Sequence, residues 1–188
     1  MARILRKLRG AGLFICFVLL ASLIAAKLEL NGQVSIAGPF VAIDGDTLAA
    51  GAERLRLEGM DAPEFRQLCK TDRGADWACG EEARVALERL VSGTAVECRA
   101  GERDRYERLL VRCRDGERDI NAEMVRIGMA VASGDYHGEE ASAREARAGL
   151  WTGTFETPRD WRVMHGMMDD PAMTKGFMAW LRGWFTSN

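Results

Sequence analysis

Apolar and polar positions alternate differently in successive parts of the chain, and each pattern predicts an element. QVSIAGPFVAI and DTLAAGAERLRLEGM contain β-branched and alternating segments broken by Gly and Asp-Gly, which predicts two or three strands. GEEARVALERLVSG then places Ala83, Ala86, Leu87, Leu90 and Val91 at helical spacing, with acids in the first turn and Gly93 beyond the end. TAVECRA and ERLLVRCRDG read as a hairpin. DINAEMVRIG predicts a short helix capped by Asp119 and terminated by Gly128. GEEASAREARAGLW predicts a last helix ending at Gly149, with Trp151 in the core. A helix between the third and fourth strands of a five-stranded antiparallel set is the plan of an OB-type Greek-key barrel. The expected fold class is therefore α+β: a five-stranded OB-type barrel with about three packed helices over residues 31–165, preceded by an N-terminal signal or anchor helix.

The ends of the chain follow other rules. MARILRKLRG carries Arg3, Arg6, Lys7 and Arg9 and no acid, and Ala11 to Ala26 is an unbroken run of apolar or small residues. That is the layout of an export signal. The run falls short of the roughly 20 residues of a membrane span, although Leu28 and Leu30 extend it past Lys27. Residues 1–30 are thus read as a signal peptide or a membrane anchor, both alternatives standing, and either puts the domain outside the cytoplasm, secreted, periplasmic or membrane-anchored. At the other end, residues 166–188 place Phe177, Trp180, Leu181, Trp184 and Phe185 at helical spacing. This amphipathic tail is expected to fold back on the domain, touch a membrane surface, or self-associate.

Removing the four N-terminal basic residues leaves 22 Lys and Arg against 28 acids, roughly −6 for the exported part. That argues against tight passive binding of nucleic acid, which relies on phosphate neutralisation. It leaves room for an enzyme that must release its product. With Cys16 set aside in the apolar run, Cys69, Cys79, Cys98 and Cys113 remain, an even number behind a secretory signal, which reads as two disulfides. Cys98 and Cys113 would face each other across the hairpin and Cys69 and Cys79 would close KTDRGADWA, so 69–79 with 98–113 is the favoured pairing. A zinc site has neither the spacing nor the histidines, of which there are two.

Candidate chemistry lies in RLRLEGMDAPE. Leu55 and Leu57 alternate with Arg56, which leaves on the opposite face, and Pro63 fixes a turn between Asp61 and Glu64. Upstream, Asp44, Gly45 and Asp46 form a second acidic turn. If the strands bearing these turns are neighbours, Asp46 and Asp61 supply carboxylate oxygens to one hard cation, with Glu64 nearby. Three acids alone would repel, and a cation with the guanidinium of Arg56 offsets that.

IDGDT, RLEGMDAPE, DRYERLLV, INAEMVRIGMA and GLW, in this order and spacing from about Val41 to Trp151, resemble the staphylococcal-nuclease-like (thermonuclease) family. The resemblance implies an OB-type barrel with packed helices and hydrolysis of DNA and RNA phosphodiester bonds with Ca2+. It implies that Asp46, Asp61 and the carbonyl of Ala62 hold the metal, and that Glu64 is the general base toward water. Arg56 and Arg108 match the arginines that clamp the scissile phosphate, and Arg105 with Tyr106 the pair that holds the substrate. The chemistry is consistent: calcium takes irregular sets of oxygen ligands, and planar guanidinium groups meet charge building on phosphate oxygens.

Two positions depart from the family pattern. The glycine usual before the second arginine is Glu107, and Gly134 stands where an aromatic is expected near the base, with Tyr136 as the candidate replacement. The expected function is an exported, calcium-dependent nuclease acting on DNA, RNA or both. The alternatives are a catalytically weak or silent OB-type nucleic-acid binder tethered to the membrane, a membrane-tethered scaffold and, least consistent with all-oxygen ligands, a transition-metal binder.

Overall fold

The computed structural model describes residues 14–24 and 34–166. Residues 14–24 form a helix, α1, whose side chains are exposed. Among the described residues no helix is long and apolar enough to cross a membrane. The expectations for the basic N-terminus and for the tail Phe177–Phe185 lie outside the described residues.

The largest sheet is built from β1 (Val34–Ala37), β2 (Val41–Ala42), β3 (Thr47–Ala50), β4 (Glu53–Leu57), β8 (Val96–Arg103) and β9 (Leu109–Asp115). The neighbour order is β1-β8-β9-β4-β3-β2, β10 (Arg118–Asp119) pairs with β9, and β6 (Cys69–Lys70) pairs separately with β7 (Asp76–Trp77). The two ends of that path, β1 and β2, are consecutive in the chain and separated only by residues 38–40, so the sheet must curl back on itself. Pro39 lies at the break and has no N–H to give to a ladder, which is why one strand serves as two short ones. Counted this way the curled sheet has the five expected strands: the split first strand, β3, β4, β8 and β9. β4 and β9 pair in parallel, Arg56 opposite Leu110, while the other neighbours on the path are antiparallel.

Helix α2 (Cys79–Val91) lies between the third and fourth strands as expected and buries Ala83, Leu87 and Val91, its i, i+4, i+8 stripe. Leu48, Leu55, Leu57, Val111 and Cys98–Cys113 meet it from the sheet, and α3 (Ile120–Arg126) closes the core with Ile120, Met124 and Val125. The Asp119 carboxylate caps α3 by accepting from the Ala122 N–H. Asn121, fully buried, uses its whole side chain: Oδ1 accepts from Cys113 N–H, and Nδ2 donates to the carbonyls of Glu58 and Val111. It thereby ties the turn after β4 to β9.

Beyond α3 the sequence reading needs correction. Helix α4 (His137–Glu145) stops before Gly149, and a 3-10 turn, Gly149–Thr152, follows. Leu150, 1% exposed, takes the core position expected for Trp151. Trp151 is half-buried instead, edge-on to Phe155 and under the Arg144 guanidinium. A further helix, α5 (Pro158–Met164), was not expected. Its signals are local and ordinary: Thr157 caps it by accepting from Asp160 N–H, Pro158 occupies the first turn, and Trp161 is buried.

Candidate functional site

The acidic turns meet because two glycines allow it. A Cβ on Gly45 would sit 2.6 Å from the Ala62 Cβ and 2.8 Å from that of Ala83, so the Asp44–Asp46 turn packs directly on the Ala62 turn and α2. A Cβ on Gly80 would sit 1.8 Å from the Glu64 carbonyl oxygen, so the start of α2 presses against the Glu64 turn. Disulfide Cys69–Cys79 fixes that arrangement from the other end of the intervening loop. β5 (Met60–Asp61) pairs with β11 (Val131–Ala132), which holds Asp61 from the opposite side.

Three carboxylates and three arginines then converge. Arg56 projects from β4 opposite the buried Leu55 and Leu57, as its strand position requires, and bridges two acids: Nη1 to Asp46 Oδ1 at 2.6 Å and Nη2 to Asp61 Oδ1 at 2.8 Å. Asp46 also accepts from Thr47 Oγ1 at 2.9 Å and from Ala62 N–H at 3.3 Å. Burial pushes the Asp46 carboxyl up to about 7; Arg56 opposes the rise, and Asp44 and Asp61 add to it. Arg162 of α5, 21% exposed, reaches back to the same place, with Nη2 on Asp61 Oδ2 at 2.7 Å and Nη1 on Glu64 Oε1 at 2.9 Å. Burial pulls the Arg162 guanidinium down, and its bonds to Asp61 and Glu64 more than compensate, leaving it above its ordinary value.

The remaining wall is the tip of the β8–β9 hairpin. Asp104 holds it together by accepting from the backbone N–H of Tyr106 and Arg108 and from Arg108 Nε at 2.8 Å. Burial works against the Asp104 carboxylate, but these bonds keep it below the ordinary range. Arg105 and Arg108 both lie over the Tyr106 ring, at 4.8 and 5.4 Å. Arg108 also points its Nη1 at Thr47 Oγ1, 3.4 Å away, which brings the hairpin tip next to Asp46. Together Arg54, Arg56, Arg105, Arg108, Arg159, Arg162, Glu64 and Tyr106 line one open cavity of about 660 Å³.

Of the residues named from sequence, Asp46, Ala62, Asp61, Glu64, Arg56, Arg105, Tyr106 and Arg108 are thus gathered at or just behind this cavity. Tyr136 is placed elsewhere. Its ring packs over Gly59 and against the core, its hydroxyl lies 3.4 Å from Asp119 Oδ2, and burial beside Asp119 pushes the phenol up to about 12. Cys69–Cys79 and Cys98–Cys113 are bonded in the favoured pairing, the second across a β8–β9 register pair. Four contributors were missed: Arg54 at the start of β4, Arg159, Arg162 and Gln67. Arg159 and Arg162 come from the unexpected α5, and Gln67, fully buried, accepts from Glu64 N–H and donates to the Glu156 carbonyl. Only the Thr157–Pro158 cap could have announced α5; nothing in the sequence marks Gln67.

Among the described residues no group of three or more His, Cys, Asp or Glu side chains is gathered to hold a metal. Asp46 and Asp61, joined through Arg56, offer only oxygen, and the Ala62 turn lies against Asp46. That donor set fits a hard divalent cation, provided a guanidinium moves off Asp61.

Residues 54–153 match the family model described as staphylococcal nuclease homologue. A succinoglycan biosynthesis protein, ExoI, of Rhizobium meliloti is 33% identical over 150 residues, covering 76% of this chain and 75% of its own length. An uncharacterized endonuclease of Haemophilus influenzae is 30% identical over 131 residues, 63% of this chain and 68% of that protein. A probable endonuclease, LCL3, of Pyricularia oryzae is 26% identical over 138 residues, and there the match spans 64% of this chain but only 52% of the relative. The matched segment holds the β4 arginine, the Asp61–Glu64 turn and the hairpin tip that form the cavity, and by the family model and the ExoI match the chain belongs to the staphylococcal nuclease homologue family.

Proposed function

We propose that this protein is a nuclease that hydrolyses phosphodiester bonds in DNA, RNA or both, with Ca2+ as its cofactor, working outside the cytoplasm. The observation that carries the reading is the convergence of Asp46, Asp61 and Glu64 with Arg56, Arg108 and Arg162 at one open cavity. Asp46, Asp61 and the Ala62 carbonyl are the groups that would hold the cation, which when bound would neutralise charge on a phosphate oxygen. Glu64, 30% exposed at the cavity wall, would take a proton from an attacking water. Arg56 and Arg108 would match two oxygens of the phosphate as charge develops there, which a lysine's single point charge does less well. Tyr106, with Arg105 and Arg108 over its ring, forms a hydrophobic and cationic ledge for the neighbouring nucleotide. Disulfides closed in both favoured pairs suit an oxidising compartment, and the N-terminal apolar run supports delivery there by a signal or an anchor.

The deciding experiment is a cleavage assay on single-stranded DNA and RNA with calcium, with chelator, and with Glu64→Gln. Cutting that needs calcium and is lost in Glu64→Gln is the expected outcome; no cutting under any condition sinks the enzyme reading. A second reading, a binder that has lost catalysis, is favoured by one observation. Glu107 puts a negative charge and a left-handed backbone, φ 63°, immediately before Arg108. Restored cutting in Glu107→Gly would establish it.

A further inference from the structure

Helix α5 lies beyond residues 54–153, yet it supplies two of the six arginines that line the cavity. Arg162 covers Asp61 completely, with Nη2 on Oδ2 at 2.7 Å and Nη1 on Oδ1 at 3.1 Å, while Nη1 also bonds Glu64. Arg159, one turn earlier on the same face, lines the same cavity, is exposed, and forms no ion pair among the described residues. Arg56 also covers Asp61, but it springs from a central strand and is fixed by a second bond to Asp46. A cation on Asp61 needs an uncovered oxygen there. Both guanidinium groups in the way border the open cavity, and Arg162 is the one carried on a peripheral helix and not on a central strand.

We propose that Arg162 works in two positions. Without a cation it spans Asp61 and Glu64, holding both carboxylates in place. When a divalent cation takes Asp61, it turns into the cavity beside Arg159, and the pair grips a phosphate next to the one cleaved. This rests on the nuclease reading and extends it: the substrate is a strand with at least one phosphate beyond the scissile one, and cation and strand bind with positive coupling because the first releases an arginine for the second.

Two titrations of the full-length protein test this. Calorimetry with calcium chloride alone, without nucleic acid, reads the first position. Removing a unit charge beside the cation in Arg162→Gln should tighten calcium by about fivefold or more, fivefold being the repulsion of two unit charges some 4 Å apart in bulk dielectric. Anisotropy with a fluorescein-labelled phosphorothioate hexathymidylate in calcium reads the second. Here Arg162→Gln should weaken binding and lower the salt slope by about 0.7, one phosphate contact on a single strand. A change that merely loosened the fold would weaken both. Arg159→Gln serves as the companion variant if Arg162→Gln folds poorly: it should weaken the oligonucleotide in the same way and leave calcium affinity unchanged. Calcium binding that is unaltered or weaker in Arg162→Gln, or oligonucleotide binding unaltered in Arg159→Gln, overturns the proposal. If the wild type shows both binding behaviours and cuts nothing, the nuclease reading falls and the two positions of Arg162 stand.

Discussion

The turn that carries Glu64 and the hairpin tip that carries Arg108 face one cavity and are held in different ways. The Glu64 turn is braced from three directions by distant parts of the chain: Gly80 of α2 abuts its carbonyl, the buried Gln67 side chain joins its N–H to Glu156, and Cys69–Cys79 closes the loop behind it. The tip is organised almost entirely by itself, through Asp104 within four residues of everything it bonds. Tyr106 at its apex is 56% exposed. A proton acceptor must sit within a fraction of an ångström of its water, whereas arginines gripping a flexible strand gain from being able to follow it. On this view, damage to the brace should show in kcat, and damage to the tip in KM.

The largest effect should come from Gly80→Ala. The new methyl would meet the Glu64 carbonyl 1.8 Å away, so the turn must move by more than an ångström. Displacement of that order costs about 10²-fold in rate, with ~1–3 kcal/mol of overpacking in stability. Steady-state kinetics and thermal unfolding measured on the same preparation check both. A variant with normal kcat would show that Glu64 is not the group whose position matters.

The two disulfides sharpen the comparison because they should cost nearly the same in stability and differ in turnover. Each closes a loop of ten to fifteen residues in sequence, worth roughly 3 kcal/mol in the chain-entropy model. Cys69–Cys79 bounds the Glu64 turn, while Cys98–Cys113 lies mid-ladder between β8 and β9. Replacing both cysteines of a pair by serine should lower the melting temperature comparably, but only Cys69→Ser/Cys79→Ser should reduce kcat at a temperature where both variants are folded, by about tenfold. Equal losses of kcat would mean that the disulfides act through global stability alone.

The same division explains what the sequence revealed. The carboxylate cluster was legible because each part is announced locally: Asp-Gly-Asp is turn chemistry, Pro63 fixes the next turn, and alternation with Leu55 and Leu57 tells which way Arg56 points. The curl of the sheet was legible from element order, since a helix between strands three and four leaves few ways to close five strands. Arg162 was not, because its role depends on a seven-residue helix docking Trp161 so that a side chain reaches Glu64 from far along the chain. Gln67 was hidden for a related reason: a buried polar side chain in a loop has no periodicity, and its value lies only in the partners that folding supplies. Tyr136 lies away from the cavity, although its nearness to Gly134 suggested it as the replacement for a missing aromatic. Its backbone, φ 65°, turns the ring inward over Gly59 instead.

A smaller effect is expected at the tip. Asp104→Ala removes the acceptor for three N–H groups and leaves Arg108 unanchored. For a loss on the order of 1 kcal/mol at a half-buried, hydrogen-bonded pair, KM should rise roughly fivefold, with kcat changed little if Arg108 still finds the phosphate. A kcat that collapses while KM holds would place the tip among the rigid parts of the site and erase the contrast drawn above.

Glu107→Gly should have the smallest effect and the most telling sign. Glu107 sits at φ 63°, where a side chain crowds its own backbone and a non-glycine residue pays about 1–2 kcal/mol. Glycine relieves that crowding but has more freedom to lose on folding, roughly 0.5–1 kcal/mol. The net gain should be a fraction of a kilocalorie, read as a rise of about 1–3 °C in melting temperature. The carbonyl of residue 107 still accepts from Arg103 Nη1 and its N–H still donates to Asp104, so the turn itself is retained. At the same time one negative charge leaves the approach to Arg108, so KM for a polyanionic strand should fall as the protein becomes more stable. A substitution that lowers the melting temperature would show that Glu107 holds the tip through a contact made by its side chain. A KM that stays level would show that this carboxylate lies off the path the phosphate takes.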